Sequence, residues 1–135
     1  MEKAEIQSLI RDAFEAQKFA YVPYSRFHVG AALLGKNGTV YKGCNIENAG
    51  YTPTNCAERT AVFKAVSEGH LKFTRIAVAA RTERFTAPCG VCRQVLAEFN
   101  PELTRVVILV NQEGKTLELT LKDLLPYSFD SSYLE

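Results

Sequence analysis

Three cysteines set the terms on which this chain can fold. Cys56 opens the run Cys56-Ala57-Glu58, and Cys89 and Cys92 sit within Pro88-Cys89-Gly90-Val91-Cys92. At the opening of a helix, the Cys89 and Cys92 spacing puts both sulfurs on one side of the first turn, where they can grip one ion. Cys56 also falls at a predicted helix start. The positive end of a helix macrodipole favours the thiolate form that zinc needs. A fold that brings these two helix N-termini face to face therefore builds a three-sulfur site.

The rest of the pattern is compatible with that demand. Ile6, Leu9, Ile10, Ala13, Phe14 and Ala16 recur at helical spacing between Lys3 and Phe19, and Pro23-Tyr24-Ser25 breaks the run. Phe27 to Leu34 and Val40 to Cys44, joined by Lys36-Asn37-Gly38, predict a β-hairpin. A turn-rich stretch from Asn45 to Asn55 leads into a helix over 56–68, with Asn55 as its N-cap and Gly69 as its stop. Phe73 to Ala80 predicts a strand, and Pro88 to Phe99 a loop and helix closed by Asn100-Pro101. Arg105 to Val110 is continuous and β-branched, as a strand buried on both faces would be. Leu117 to Thr120 reads as a weaker strand, followed by a helical turn at Lys122 to Leu125 and an irregular tail. The expected class is α/β: a three-layer α/β/α arrangement with a mixed five-stranded sheet.

With 135 residues the chain is long enough for one core, and a single domain over 1–135 is expected. The balance of 16 basic against 15 acidic residues gives a net charge of +1, which provides no field for nucleic acid or an anionic membrane. A small uncharged partner suits it better. The first residues, MEKAEIQSLIRDAFEAQ, are charged throughout, and no later run is long and apolar enough to cross a bilayer. A soluble, cytoplasmic protein is expected, and its four cysteines then read as thiols or metal ligands rather than disulfides.

Three thiolates leave one position of a tetrahedral ion open, which is the mark of a catalytic rather than a structural zinc. The remaining thiol, Cys44, ends a strand and reads as a small packing group. Glu58 is two residues beyond Cys56; both can share a cavity at the axial end of a first turn, where a carboxylate can move protons. Three sulfurs around zinc also call for nearby positive charge. Arg59, three residues from Cys56 on the same helix face, can donate to a thiolate, and Arg93 directly follows Cys92. Two other readings stay open from these residues alone: a structural zinc module, and a Cys89/Cys92 dithiol of redox type.

The sequence resembles the small homotetrameric cytidine deaminases over nearly its full length. The shared stretches include Tyr24-Ser25-Arg26-Phe27, Gly43-Cys44-Asn45-Ile46-Glu47-Asn48, Cys56-Ala57-Glu58-Arg59-Thr60-Ala61 and Pro88-Cys89-Gly90-Val91-Cys92-Arg93-Gln94. A non-ligating glutamate with Pro-Cys-x-x-Cys is the pattern of zinc nucleobase deaminases. The resemblance implies a cytidine deaminase-like fold, one Zn2+ per chain held by Cys56, Cys89 and Cys92, and Glu58 as the proton carrier. It further implies Phe27 against the pyrimidine, Asn45 and Glu47 on the sugar hydroxyls, and backbone near Ala57 on the base edge. Tyr51 and Phe129 would reach the sites of neighbouring subunits. The implied reaction converts cytidine or 2'-deoxycytidine to the uracil nucleoside; a modified aminopyrimidine nucleoside is the alternative substrate.

Overall fold

The computed structural model describes residues 2–134. Helix α1 spans Glu2–Gln17 and buries Leu9, Ile10, Ala13 and Ala16 along one face. It ends well before Pro23. Its last turn closes with bonds from Lys18 N to Glu15 O and from Phe19 N to Ala16 O. The buried Gln17 side chain donates to His28 O at 3.1 Å and Ala79 O at 3.2 Å, which pins the helix end to the sheet.

The hairpin follows as β1 (Val29–Gly35) and β2 (Val40–Cys44), in antiparallel register from Gly30 opposite Cys44 to Leu34 opposite Val40. Gly38 turns the chain at φ +87, a conformation that costs a residue without Cβ little. Next come α2 (Ala57–Ser67), β3 (Phe73–Ala80), α3 (Gly90–Glu98), β4 (Val106–Val110), β5 (Thr116–Thr120) and α4 (Leu121–Leu124). The tail carries a 3-10 turn at Ser131–Leu134. The sheet order is β2-β1-β3-β4-β5, with only β3 and β4 parallel. This is the mixed five-stranded sheet expected from the sequence.

Alternation along the strands divides the core in two. Ala31, Leu33, Ile76, Val78, Val107 and Leu109 pack with Ala61, Val62 and Ala65 of α2 and Leu96 of α3. Ala32, Leu34, Ala77, Ala79, Ile108 and Val110 face Leu9, Ile10 and Ala13 of α1. The middle strands are therefore buried on both faces, and the layers are α1, the sheet, and α2 with α3.

Two glycines let helices seat directly on strands. A Cβ at Gly30 would lie 2.0 Å from Ala13 O, and one at Gly43 would lie 2.5 Å from both Ala57 O and Ala61 N. The Gly43 contact presses the first turn of α2 against β2. Because α3 follows the carboxyl end of β3 and α2 follows that of β2, the two helix starts meet at one end of the sheet, where α/β folds place their ligands.

Candidate metal centre

Each cysteine motif supplies the N-cap of its helix. Cys56, at φ −78 and ψ 158, caps α2 without a side-chain cap bond, so its sulfur is free to point outward. The expected cap, Asn55, is engaged elsewhere: its backbone pairs with Ile46 in both directions, and its amide donates to Thr60 Oγ1 at 3.0 Å. Cys89 caps α3, and its sulfur accepts from Cys92 N at 3.5 Å in the manner of an N-cap side chain.

The three sulfurs converge. Cys56 Sγ lies 3.7 Å from Cys89 Sγ, Cys89 Sγ lies 3.5 Å from Cys92 Sγ, and all three fall within 4.8 Å of one another. Tetrahedral ligands at a Zn–S distance of about 2.3 Å stand roughly 3.8 Å apart, so this donor set fits zinc in spacing as well as chemistry. Cys44 is not part of the cluster. It is half-buried at the end of β2, in an apolar crevice of about 200 Å³ with Ala16, Phe19, Gly43 and Thr60, and burial pushes its thiol pKa up.

Hydrogen bonding from the Cys92 thiol, reinforced by Arg59, pushes Cys56 down to about 5. Cys92 is held up by that same hydrogen bond and by burial. Arg59 Nη2 lies 3.4 Å from Cys56 Sγ, the contact its position on α2 predicts.

Arg93 does something different from what its place beside Cys92 implies. No hydrogen bond joins it to a sulfur among the described residues. Its Nε donates to Pro88 O and its Nη1 to Leu124 O, each at 2.7 Å. Gln94 Nε2 donates to Phe129 O at 2.8 Å. Consecutive residues of α3 thus strap the C-terminal segment to the helix that carries Cys92.

Glu58 is 5% exposed, and its carboxyl is raised to about 7, chiefly by burial and then by the Cys56 charge. It lines a cavity of about 180 Å³ with Cys56, Ala57, Cys89, Phe27, Asn45, Val29, Val78, Thr86 and Ala87. This cavity has apolar walls, a carboxyl group and two sulfurs. A larger cleft of about 430 Å³ lies at the opposite end of the sheet, by Lys36 and Arg105, and contains no thiol.

Of the base, sugar and subunit contacts implied by resemblance, Phe27, Asn45 and Ala57 line this cavity. Glu47 stands in an adjoining crevice with Tyr24, Ser25, Asn48, Tyr51 and Thr54. Tyr51 is 79% exposed, and Phe129, 54% exposed, stacks on Tyr133 at 5.2 Å. Neither lines the sulfur cavity. Residue-by-residue reading missed Ser25, Thr86 and Ala87. The signal for Ser25 was its place in Tyr24-Ser25-Arg26-Phe27; Thr86 and Ala87 carry no chemistry that a sequence would flag.

Fold and site together define an α/β/α protein with three clustered cysteine sulfurs that could hold a metal ion beside a buried carboxyl group. A sequence model described as the cytidine and deoxycytidylate deaminase zinc-binding region matches residues 3–110. A cytidine deaminase of Halalkalibacterium halodurans is 57% identical over 123 residues, covering 91% of this chain and 92% of its own length. One from Sporosarcina psychrophila is 52% identical over 131 residues, covering 96% and 95% respectively. The crystal structure of cytidine deaminase from Burkholderia pseudomallei superposes with a TM-score of 0.87 at 46% identity, covering 91% of this chain and 98% of that one. The chain belongs to the cytidine and deoxycytidylate deaminase family.

Proposed function

We propose that this chain hydrolytically deaminates cytidine and 2'-deoxycytidine to uridine and 2'-deoxyuridine, releasing ammonia, with residues 1–135 acting as one catalytic domain. The observation that carries the reading is the buried Glu58 carboxyl in the cavity that also holds the sulfurs of Cys56 and Cys89, with Cys92 completing the donor set. Cys56, Cys89 and Cys92 would hold the ion. Zinc, when bound, supplies Lewis acidity that brings the pKa of water to about 7.

Glu58 takes the proton from the water that adds at C4 of the ring. It delivers that proton to N3, then takes the proton of the new C4 hydroxyl and gives it to the C4 amine, which leaves as ammonia as the C4 carbonyl forms. A carboxyl raised to about 7 is matched to both accepting and donating at neutral pH. Phe27 presents an aromatic face suited to a flat base, while Val29 and Val78 keep that wall dry. Asn45 and Glu47 offer donor and acceptor groups to the sugar hydroxyls. Arg59 offsets the thiolate charge.

The reading extends to a cytoplasmic homotetramer serving pyrimidine salvage, with Tyr51 and Phe129 completing a neighbour's site. The exposure of Tyr51, Tyr127, Phe129 and Tyr133 supports assembly, since a lone chain gains nothing by presenting aromatics to water. The test replaces Glu58 with Ala and measures bound zinc and cytidine turnover. Retained zinc with turnover reduced by about 10²-fold or more is expected; near-normal turnover with zinc retained removes Glu58 from the mechanism.

A further inference from the structure

The segment carrying Phe27 is tied to the segment carrying Glu47 through one hydroxyl. Glu47 Oε1 accepts from Tyr24 N at 3.0 Å and Ser25 N at 3.1 Å, and Ser25 Oγ donates to Glu47 Oε2. The same Ser25 Oγ accepts from Phe27 N at 3.0 Å. Arg26, at φ +59, reverses the chain between them and is fixed by its N–H to Val22 O at 3.0 Å. On the other side of the Phe27 peptide, Asn45 Nδ2 donates to Phe27 O at 2.6 Å, while Asn45 Oδ1 accepts from Val29 N at 3.0 Å.

Both polar groups of the Phe27 backbone are therefore held by side chains. One is Asn45, and the other is Ser25, whose hydroxyl is itself held by Glu47. The Asn45–Glu47 strip is rigid in turn: Tyr21 N bonds Asn45 O at 3.0 Å, Glu47 N bonds Tyr21 O at 2.8 Å, and Ile46 bridges Asn55.

This arrangement leaves little of the Glu47 carboxylate for a ligand. A carboxylate has about four lone-pair positions. Oε1 spends both of its pair on backbone N–H groups, and Oε2 spends one on Ser25. One acceptor position on Oε2 remains, aimed by the Ser25 bond. The same hydrogen bonds, that of Ser25 foremost, hold the Glu47 carboxyl below its ordinary range and keep it an acceptor.

We propose that Ser25 is a positioning residue that couples sugar recognition to base stacking: its hydroxyl aims the free acceptor of Glu47 and fixes the Phe27 backbone in a single hydrogen-bonded relay. This rests on the nucleoside deaminase reading above. Ser25 lies on an exposed turn, so its substitution leaves the two cores intact. Because base and sugar are held alike in ground and transition states, loss of the relay raises KM and spares kcat.

The experiment compares the zinc-loaded wild type with Ser25→Ala and Ser25→Thr, each in the native and the Glu47→Gln background. Ser25→Ala is expected to raise KM for cytidine about tenfold with kcat within about twofold, while Ser25→Thr, which keeps the hydroxyl, stays near wild type. In the Glu47→Gln background, Ser25→Ala is expected to cost less than about threefold, because the carboxylate that Ser25 aims is already gone. Additive effects in the two backgrounds, or a threonine variant as weak as the alanine one, overturn the proposal. Amide hydrogen exchange at Phe27 is read separately and should accelerate in Ser25→Ala; unchanged exchange overturns it whatever the kinetics. A zinc-loaded wild type that leaves cytidine intact overturns the deaminase reading instead, and the Phe27 amide still decides whether the relay exists.

Discussion

Gly43→Ala probes how tightly the metal centre depends on the seating of one helix. The new Cβ would stand 2.5 Å from Ala57 O and Ala61 N and 3.0 Å from Thr60 Cβ. Carbon contacts are comfortable only near 3.5 Å, so the first turn of α2 must retreat by roughly 1 Å. Two of the three opposing atoms are backbone and cannot rotate away. Overpacking of this kind costs about 1–3 kcal/mol, and the backbone opposition places Gly43 toward the upper end. The stiffer unfolded chain returns about 0.4–1 kcal/mol, leaving a net loss of about 2 kcal/mol. With an unfolding entropy of about 2.1 cal/mol/K per residue, a chain of this length should melt about 7 °C lower. The same retreat moves Cys56 relative to Cys89, whose sulfurs stand 3.7 Å apart, so zinc affinity should fall about 10- to 100-fold. Gly30→Ala is the control. Its Cβ would meet Ala13 O at 2.0 Å and Gln17 N at 2.5 Å, on the α1 face away from the sulfurs. It should lower the melting temperature at least as much while leaving zinc affinity intact. The assays are thermal melts followed by circular dichroism, and zinc competition against a chromophoric chelator well below either midpoint. Equal zinc losses in the two variants, or a Gly43→Ala protein with wild-type affinity, would refute the reasoning.

Two further outcomes follow from the site. Arg93→Ala removes two charged hydrogen bonds of 2.7 Å and should cost about 2–3 kcal/mol in urea unfolding, with faster amide exchange in residues 125–129; unchanged exchange there would dissolve the strap between α3 and the C-terminal segment. In the metal-free protein, Glu58 is raised from 4.5 to about 7, so between those values the folded state binds more protons than the unfolded and stability falls as pH rises. The contribution is fully present below about 4.5 and lost through about 7, amounting to roughly 3 kcal/mol. Denaturant unfolding across that window, as the difference between wild type and Glu58→Gln, should show this downward slope; a flat difference contradicts the buried-carboxyl assignment.

Local chemistry and periodicity carried much of this protein into its sequence. Zinc can be held by few side-chain types, and a thiol at a helix start is visible from spacing alone, so Cys56, Cys89 and Cys92 could be picked out as candidates before any fold was known, with Glu58 standing out only beside them through the deaminase pattern. Strands buried on both faces read as unbroken apolar runs, which is why Phe73 to Ala80 matches β3 residue for residue. Partners distant in the chain were another matter. Whether Arg93 meets a sulfur or the carbonyl of Leu124, 31 residues on, depends on where the last helix docks. Asn55 has the composition of a helix cap, yet its backbone is drawn into a bridge with Ile46, and the role passes to Cys56. Ser25 meets Glu47 only because the turn after α1 folds over the strip that follows β2. Which atoms could bind zinc was legible along the chain, because ligand chemistry belongs to single residues and their near neighbours. Which of the remaining polar groups were already spent on one another emerged only in the folded chain, because hydrogen-bond partners are assigned by proximity in space, and proximity is set by the packing of the whole sheet.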